Sequence, residues 1–323
     1  MEARTDVTSA RGIGIPRAWH FGDALFRAVV AIFGLSVLAL AALIIWQLFF
    51  ESRESITTFG WGFLTGTNWN AVTRVFGAAP AIYGTLVSSL IAIILAVPVS
   101  LGAAIFLSEM APPWLRHPAS FLVESLAAIP SVIFGLWGIY VLIPWIQNPV
   151  EKFLGGHLSF LPLFSGPPFG VGMLAAGIIL AIMVLPIITA IARDSLLAVP
   201  STQREAMLAL GATKWEMISR AVLQYCRSGL VGAVLLGLGR ALGETMAVTM
   251  VIGKTYDIHA SLFAPASTAA SQIASEFGEA GFSLYRSALM ELGLILLGIT
   301  LLVNVVARLL VWRIARSPEA IRE

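Results

Sequence analysis

Apolar residues fall along this chain in six long blocks, near 26–50, 80–108, 119–146, 171–192, 228–252 and 284–311, separated by more polar segments. Each block is long enough for a helix of roughly 20 residues, the length that crosses a bilayer core. Backbone amides have no water to bond within hydrocarbon, so a helix that closes its own hydrogen bonds is the expected element. The pattern predicts an all-α integral membrane protein with six transmembrane helices. Pro98, Pro130 and Pro186 lie inside the second to fourth blocks and predict kinks there.

Composition agrees with this pattern. The chain is 58% hydrophobic and 12% charged, with mean hydropathy +0.88, against about 25% charged in soluble domains. The first block exceeds the 7–15 apolar residues of a signal peptide and is read as a retained helix. With Cys226 as its single cysteine, the chain has no internal disulfide. The four histidines show no ligand spacing, and no metal site is expected. No P-loop and no nucleophile–base arrangement is visible, which argues against an enzyme and against ATP hydrolysis by this chain. No nucleic-acid partner is expected, only surrounding membrane lipid.

Basic residues set the orientation. With the amino terminus inside, 14 of the 20 Lys and Arg fall on the inner side and 5 outside, with Arg240 within the membrane. The positive-inside rule then places both termini in the cytoplasm. Residues 1–26 form a cytoplasmic segment and 27–323 the transmembrane domain. Trp61, Phe63, Trp69 and Phe76 crowd the outer segment 51–79 and read as interfacial anchors, with a docking surface as the second reading. Glu124 and Glu291 lie one or two turns inside their helix ends and are read as structural. Asn304 offers an amide for a bond between helices.

One inner loop is long, at 196–227. Pro200 stops the preceding helix, and Thr202 with Glu205 has the spacing of a capping box. Ala206 to Leu210 are good helix formers, Gly211 suits a left-handed helix end, and Thr213 with Glu216 repeats the capping box. The prediction is helix, glycine corner, helix. Such a knob is either an interfacial hairpin or a plug for a groove on a cytoplasmic protein, with Met207, Leu208, Leu210 and Trp215 as anchors.

The fifth block holds Arg240 and Glu244. A charge at mid-membrane costs about 2.5–3.5 kcal/mol and marks a site or a buried pair. At i and i+4 the two share a helix face, which allows an internal ion pair. The other reading is an anion path. Guanidinium offers a fork of donors to an oxyanion, and Thr245 and Thr249 add hydroxyls, Thr245 rotated off the Arg240 face. Gly239 and Gly243 form a small-residue step that permits close helix packing and clears space beside Arg240.

Glu205, Ala206, Gly211 and Leu223 match the Glu-Ala-Ala loop of ABC-importer permeases, departing from it at Met207, Ala221 and Gln224. The stretch Gly239-Arg240-Ala241-Leu242-Gly243-Glu244-Thr245-Met246-Ala247-Val248 closely resembles the fifth helix of PstC-type permeases of bacterial phosphate importers. That resemblance implies a multi-pass subunit of the bacterial inner membrane. It implies a homologous PstA-like subunit, two cytoplasmic ATP-binding subunits that use ATP and Mg, and an outer phosphate-binding protein. The loop, with Thr202, Glu205, Ala206, Gly211 and Trp215, would be the coupling loop. Arg240, Glu244 and Thr245 would line the phosphate path, with Glu244 accepting the proton of HPO₄²⁻ and disfavouring sulfate. The alternatives are a permease for sulfate, molybdate or phosphonate, an enzyme acting on a phosphorylated lipid, and a passive anion channel.

Overall fold

A computed structural model describes residues 17–315, with side chains over 22–309. It divides into two units, 1–50 and 51–323. The first holds nearly all of α1 (Arg17–Glu51), a continuous apolar helix. In the second, α2 (Arg53–Phe59) and α3 (Gly62–Thr65) are short and precede α4 (Ala79–Ile105). Next come α5 (Pro113–Ala127), α6 (Ser131–Trp137), α7 (Ile143–Trp145), α8 (Lys152–His157) and α9 (Met173–Leu197). The chain continues through α10 (Ser201–Ala209), α11 (Lys214–Glu216), α12 (Leu223–Gly243), α13 (Met246–Val251), α14 (Ala269–Glu276) and α15 (Ser283–Ala315). Among the described residues there is no β-strand, only two isolated bridges.

Among the described residues, six segments are long and apolar enough to span a membrane: Gly22–Glu51, Ala79–Met110, Ser131–His157, Met173–Leu197, Lys214–Gly243 and Ser283–Leu309. The number is as expected, but two boundaries are not. The third block is not one helix over 119–146. It stops after α5 and restarts at Ser131, because Pro130 disfavours the helical conformation at Ile129. The third span therefore runs on to His157. It is interrupted by π-helical turns at Gly138–Leu142 and Ile146–Glu151, beside Pro144 and Pro149, which lack an amide to donate. The fifth block also breaks, after Gly243, so 228–252 is not one helix either.

α9 is the central helix of its unit. Its apolar window is 67% buried, against at most 28% for the other spans there, as expected for a helix apolar all round. Its main neighbour is α4, which buries Ala92, Ala96, Ser100 and Ala104, one per turn. Small residues let two helix backbones approach where no hydrophobic effect drives them together. Pro98 and Pro186 are held inside α4 and α9. Hydroxyls from Ser100 (3.1 Å) and Thr189 (2.8 Å) both donate to the Leu185 carbonyl beside Pro186.

A second core lies at the end of the unit opposite α10. Phe63, Trp69 and Phe76 are 0%, 8% and 2% exposed and pack on Tyr285 and Leu289 of α15. Only Trp61, at 86%, is free for an interfacial role, so three of the four aromatics expected as membrane anchors are core residues. Their polar centre is Glu276, itself buried. It accepts bonds from Trp69 Nε1 (2.6 Å), from Tyr285 Oη (2.7 Å) and from Tyr256 Oη. Three donors compensate a carboxylate that burial alone would penalise. The arrangement ties the 51–79 segment, the 253–283 segment and α15 together.

Candidate coupling knob and translocation face

The knob forms largely as its local sequence dictates. α10 starts at Ser201 with Pro200 before it, and Gln203 N donates to Pro200 O at 3.2 Å. Thr202 thus lies inside the first turn rather than at the cap, and the expected Thr202–Glu205 box is absent: no side chain caps α10. α10 begins two residues earlier than that box requires, with Pro200 as its cap residue. Glu205 and Ala206 are exposed on α10.

The corner is a Schellman turn. Gly211 has φ +80°, its amide donates to Leu208 O at 3.0 Å, and Ala212 N donates to Met207 O at 3.1 Å. The second capping box is complete. Thr213 Oγ1 accepts from Glu216 N at 3.3 Å, and Thr213 N donates to Glu216 Oε2 at 2.9 Å. Leu208, Leu210 and Trp215 are 48%, 84% and 70% exposed. Met207, expected outside with them, packs inward against the main core, because it falls on the α10 face that meets the membrane helices.

Arg204 fixes the knob to the body. Its Nε and Nη2 donate to Glu109 Oε2 and Oε1 at 3.2 and 2.7 Å. The same guanidinium donates to Val199 O at 2.5 Å and to Leu196 O at 2.8 Å. It therefore closes carbonyls at the end of α9 while gripping the end of the second span. Sequence reading did not single out Arg204. Its partner lies 95 residues away, and no local spacing announces it. A second arginine, Arg193 of α9, bonds Glu124 of α5 at 2.8 Å and Asp194 at 2.7 Å, which gives Glu124 the structural role expected of it.

Arg240 occupies the last turn of α12 and is exposed. Glu244 follows the helix in an extended conformation (φ −70°, ψ 128°), and α13 begins at Met246. The shared helix face expected for Arg240 and Glu244 does not exist, because the helix ends between them. Among the described residues neither side chain makes an ion pair. Glu244 Oε1 instead accepts from Thr245 N at 3.2 Å. The hydroxyls expected as anion donors are spent on carbonyls, Thr245 on Gly243 O (3.3 Å) and Thr249 on Thr245 O (2.7 Å).

Among the described residues, no other helix packs closely against Gly239 or Gly243. A Cβ at either position would meet nothing within 4 Å. Both line a groove of about 840 Å³ between α12 and α15, with Thr300, Asn304 and Arg308 on its far wall. Asn304 Nδ2 donates to Thr300 O at 2.9 Å within its own helix, not across to a neighbour.

Six spans, interrupted helices and a projecting helix–glycine–helix knob define a membrane transport component. Residues 96–316 match the family described as binding-protein-dependent transport system inner membrane component. The chain is 47% identical over 302 residues to the phosphate transport system permease protein PstC of Pasteurella multocida, covering 92% of this chain and 94% of that protein. It is 46% identical to the protein of that name from Mesorhizobium japonicum, over 97% of both. In fold it is similar to a chain of a bacterial alginate ABC transporter, with TM-score 0.58 at 16% identity over 93% of this chain and 96% of that one. The chain belongs to the binding-protein-dependent transport permease family, with the PstC-type permeases.

Proposed function

We propose that this chain is the PstC-type permease subunit of an ATP-driven importer that moves inorganic phosphate into the cytoplasm. Its relatives of that name match it along nearly its whole length, and its fold is that of an ABC permease. The α10 end faces the cytoplasm in this reading, with both termini, and Leu208, Leu210 and Trp215 enter a groove on an ATP-binding subunit. A homologous permease subunit completes the path, two ATP-binding subunits use ATP and Mg, and an external binding protein delivers phosphate.

The observation that carries the site assignment is an exposed Arg240 guanidinium with no ion pair among the described residues, directly before a break in the fifth span. Broken spanning helices are where transporters bind cargo near mid-membrane, and a permanently charged fork suits phosphate oxygens. Glu244, outside the helix, keeps one carboxylate oxygen for the proton of HPO₄²⁻, which sulfate lacks. One arginine does not balance a dianion, so the homologous subunit supplies a second cation.

The test is ATP-dependent phosphate uptake by the assembled complex, wild type against Arg240→Ala at matched expression. Loss of one charged hydrogen-bond site predicts a fall of roughly tenfold or more. Unchanged uptake removes Arg240 from the path. Sulfate carried as well as phosphate by the wild type removes the selectivity role of Glu244.

A further inference from the structure

Glu291 lies eight residues into α15, about 12 Å along the helix at 1.5 Å per residue, within the sixth span. It is 7% exposed, and its Oε2 has no hydrogen-bond partner. No ion pair reaches it among the described residues. It lines a cavity of about 390 Å³ with Ile56, Leu64, Leu294 and Ile295, and Trp61 stands at the rim. The neighbouring helix is held in place without it. Ser55 N donates to Ser287 Oγ at 3.0 Å, and Ser283 Oγ donates to Glu54 Oε1 at 3.0 Å. These bonds dock α2 on α15 without involving Glu291.

A carboxylate in an apolar pocket is costly unless a cation and donors reach it. Ser55 Oγ, buried on α2, is the hydroxyl beside the Glu291 carboxylate. It can supply one hydrogen bond and no charge, so the site still lacks a cation. At this depth the surrounding solvent is lipid. The pocket sets an acidic group behind aliphatic walls, with an exposed indole where tryptophan prefers the membrane–water interface. One abundant class of membrane molecule matches all three: an ammonium with N–H donors, a glycerol backbone and an acyl chain.

We infer that the Glu291 pocket between α2, α3 and α15 binds an aminophospholipid, with its primary ammonium on the Glu291 carboxylate and its chain against Leu64, Leu294 and Ile295. The lipid pins the start of α15 to α2 and α3, the region that also carries the Glu276 core. It makes the transporter's occupancy by lipid selective for headgroup.

The experiment is native mass spectrometry of the intact purified transporter. It is delipidated and then offered phosphatidylethanolamine, phosphatidylcholine or phosphatidylglycerol with identical acyl chains. Wild type retains phosphatidylethanolamine best, since the choline headgroup has charge but no N–H and the glycerol headgroup is anionic overall. Glu291→Gln lowers that retention roughly tenfold, toward the other two lipids. Leu294→Trp fills the cavity and lowers it with the carboxylate intact. If Glu291→Gln does not assemble, headgroup ranking on the wild type and the Leu294→Trp result decide. Equal retention of phosphatidylglycerol and phosphatidylethanolamine by the wild type overturns the proposal. So does unchanged retention in Glu291→Gln or in Leu294→Trp.

Discussion

Glu109→Gln should loosen the knob from the membrane helices. In the wild type the Arg204–Glu109 contact is bidentate, with side chains 20% and 6% exposed. Breaking a buried pair from one side costs about 3–5 kcal/mol, mostly because the remaining charge is stranded. Here Arg204 keeps two carbonyl acceptors, at Val199 and Leu196, and glutamine retains one acceptor oxygen for the guanidinium. A cost of about 2 kcal/mol remains, which raises the population of the detached knob roughly thirtyfold. Amide hydrogen exchange reads such local opening directly. Peptides covering α10 in the purified complex should exchange roughly thirtyfold faster, while those of α4 and α9 keep their protection. If the knob transmits ATP-driven motion, phosphate moved per ATP hydrolysed should fall as well. Unaltered α10 exchange in Glu109→Gln would refute the claim that this pair holds the knob.

Two further outcomes follow from local geometry. Gly211→Ala places a Cβ at φ +80° and should weaken the Schellman corner by about 1–2 kcal/mol, seen as faster exchange at the Gly211 and Ala212 amides. Tyr256 is half-buried, and its hydroxyl bonds Glu276, so burial first and the carboxylate second hold its phenol well above the ordinary range. The fold favours the protonated phenol, so the stabilisation is complete below about pH 10, where unfolded tyrosine ionises, and is lost as pH rises beyond it. In a difference titration at 295 nm against Tyr256→Phe, this tyrosine should remain un-ionised through the transition of the exposed ones, and ordinary titration near pH 10 would contradict the burial argument.

Much of the architecture is legible in local pattern. Apolar block length alone gives six spans, because a spanning helix must satisfy its backbone within one segment. The Gly211 corner and the Thr213–Glu216 box are equally local, since their partners lie within a few residues. Local rules fall short where they allow two outcomes. Pro98 and Pro186 stay inside helices, whereas Pro130 ends one; whether neighbours re-satisfy the backbone is a property of packing. Pro200 outcompeted Thr202 for the helix start. Helical spacing put Arg240 and Glu244 on one face, but apolar content does not reveal that the helix stops at Gly243.

What the sequence determined by itself was therefore the number of spans, the helix–glycine–helix knob and the presence of a cation within the fifth apolar block. Each depends on residues within one continuous segment of the chain. Tertiary structure alone decided that Arg204 grips Glu109, that Trp69, Tyr256 and Tyr285 converge on Glu276, and that Arg240 stays exposed while Glu291 is buried without a cation. These are meetings, or missed meetings, between segments separated by many residues. Their energies depend on which helix faces come together and on which polar groups that packing takes out of solvent, and no spacing along a single helix encodes either.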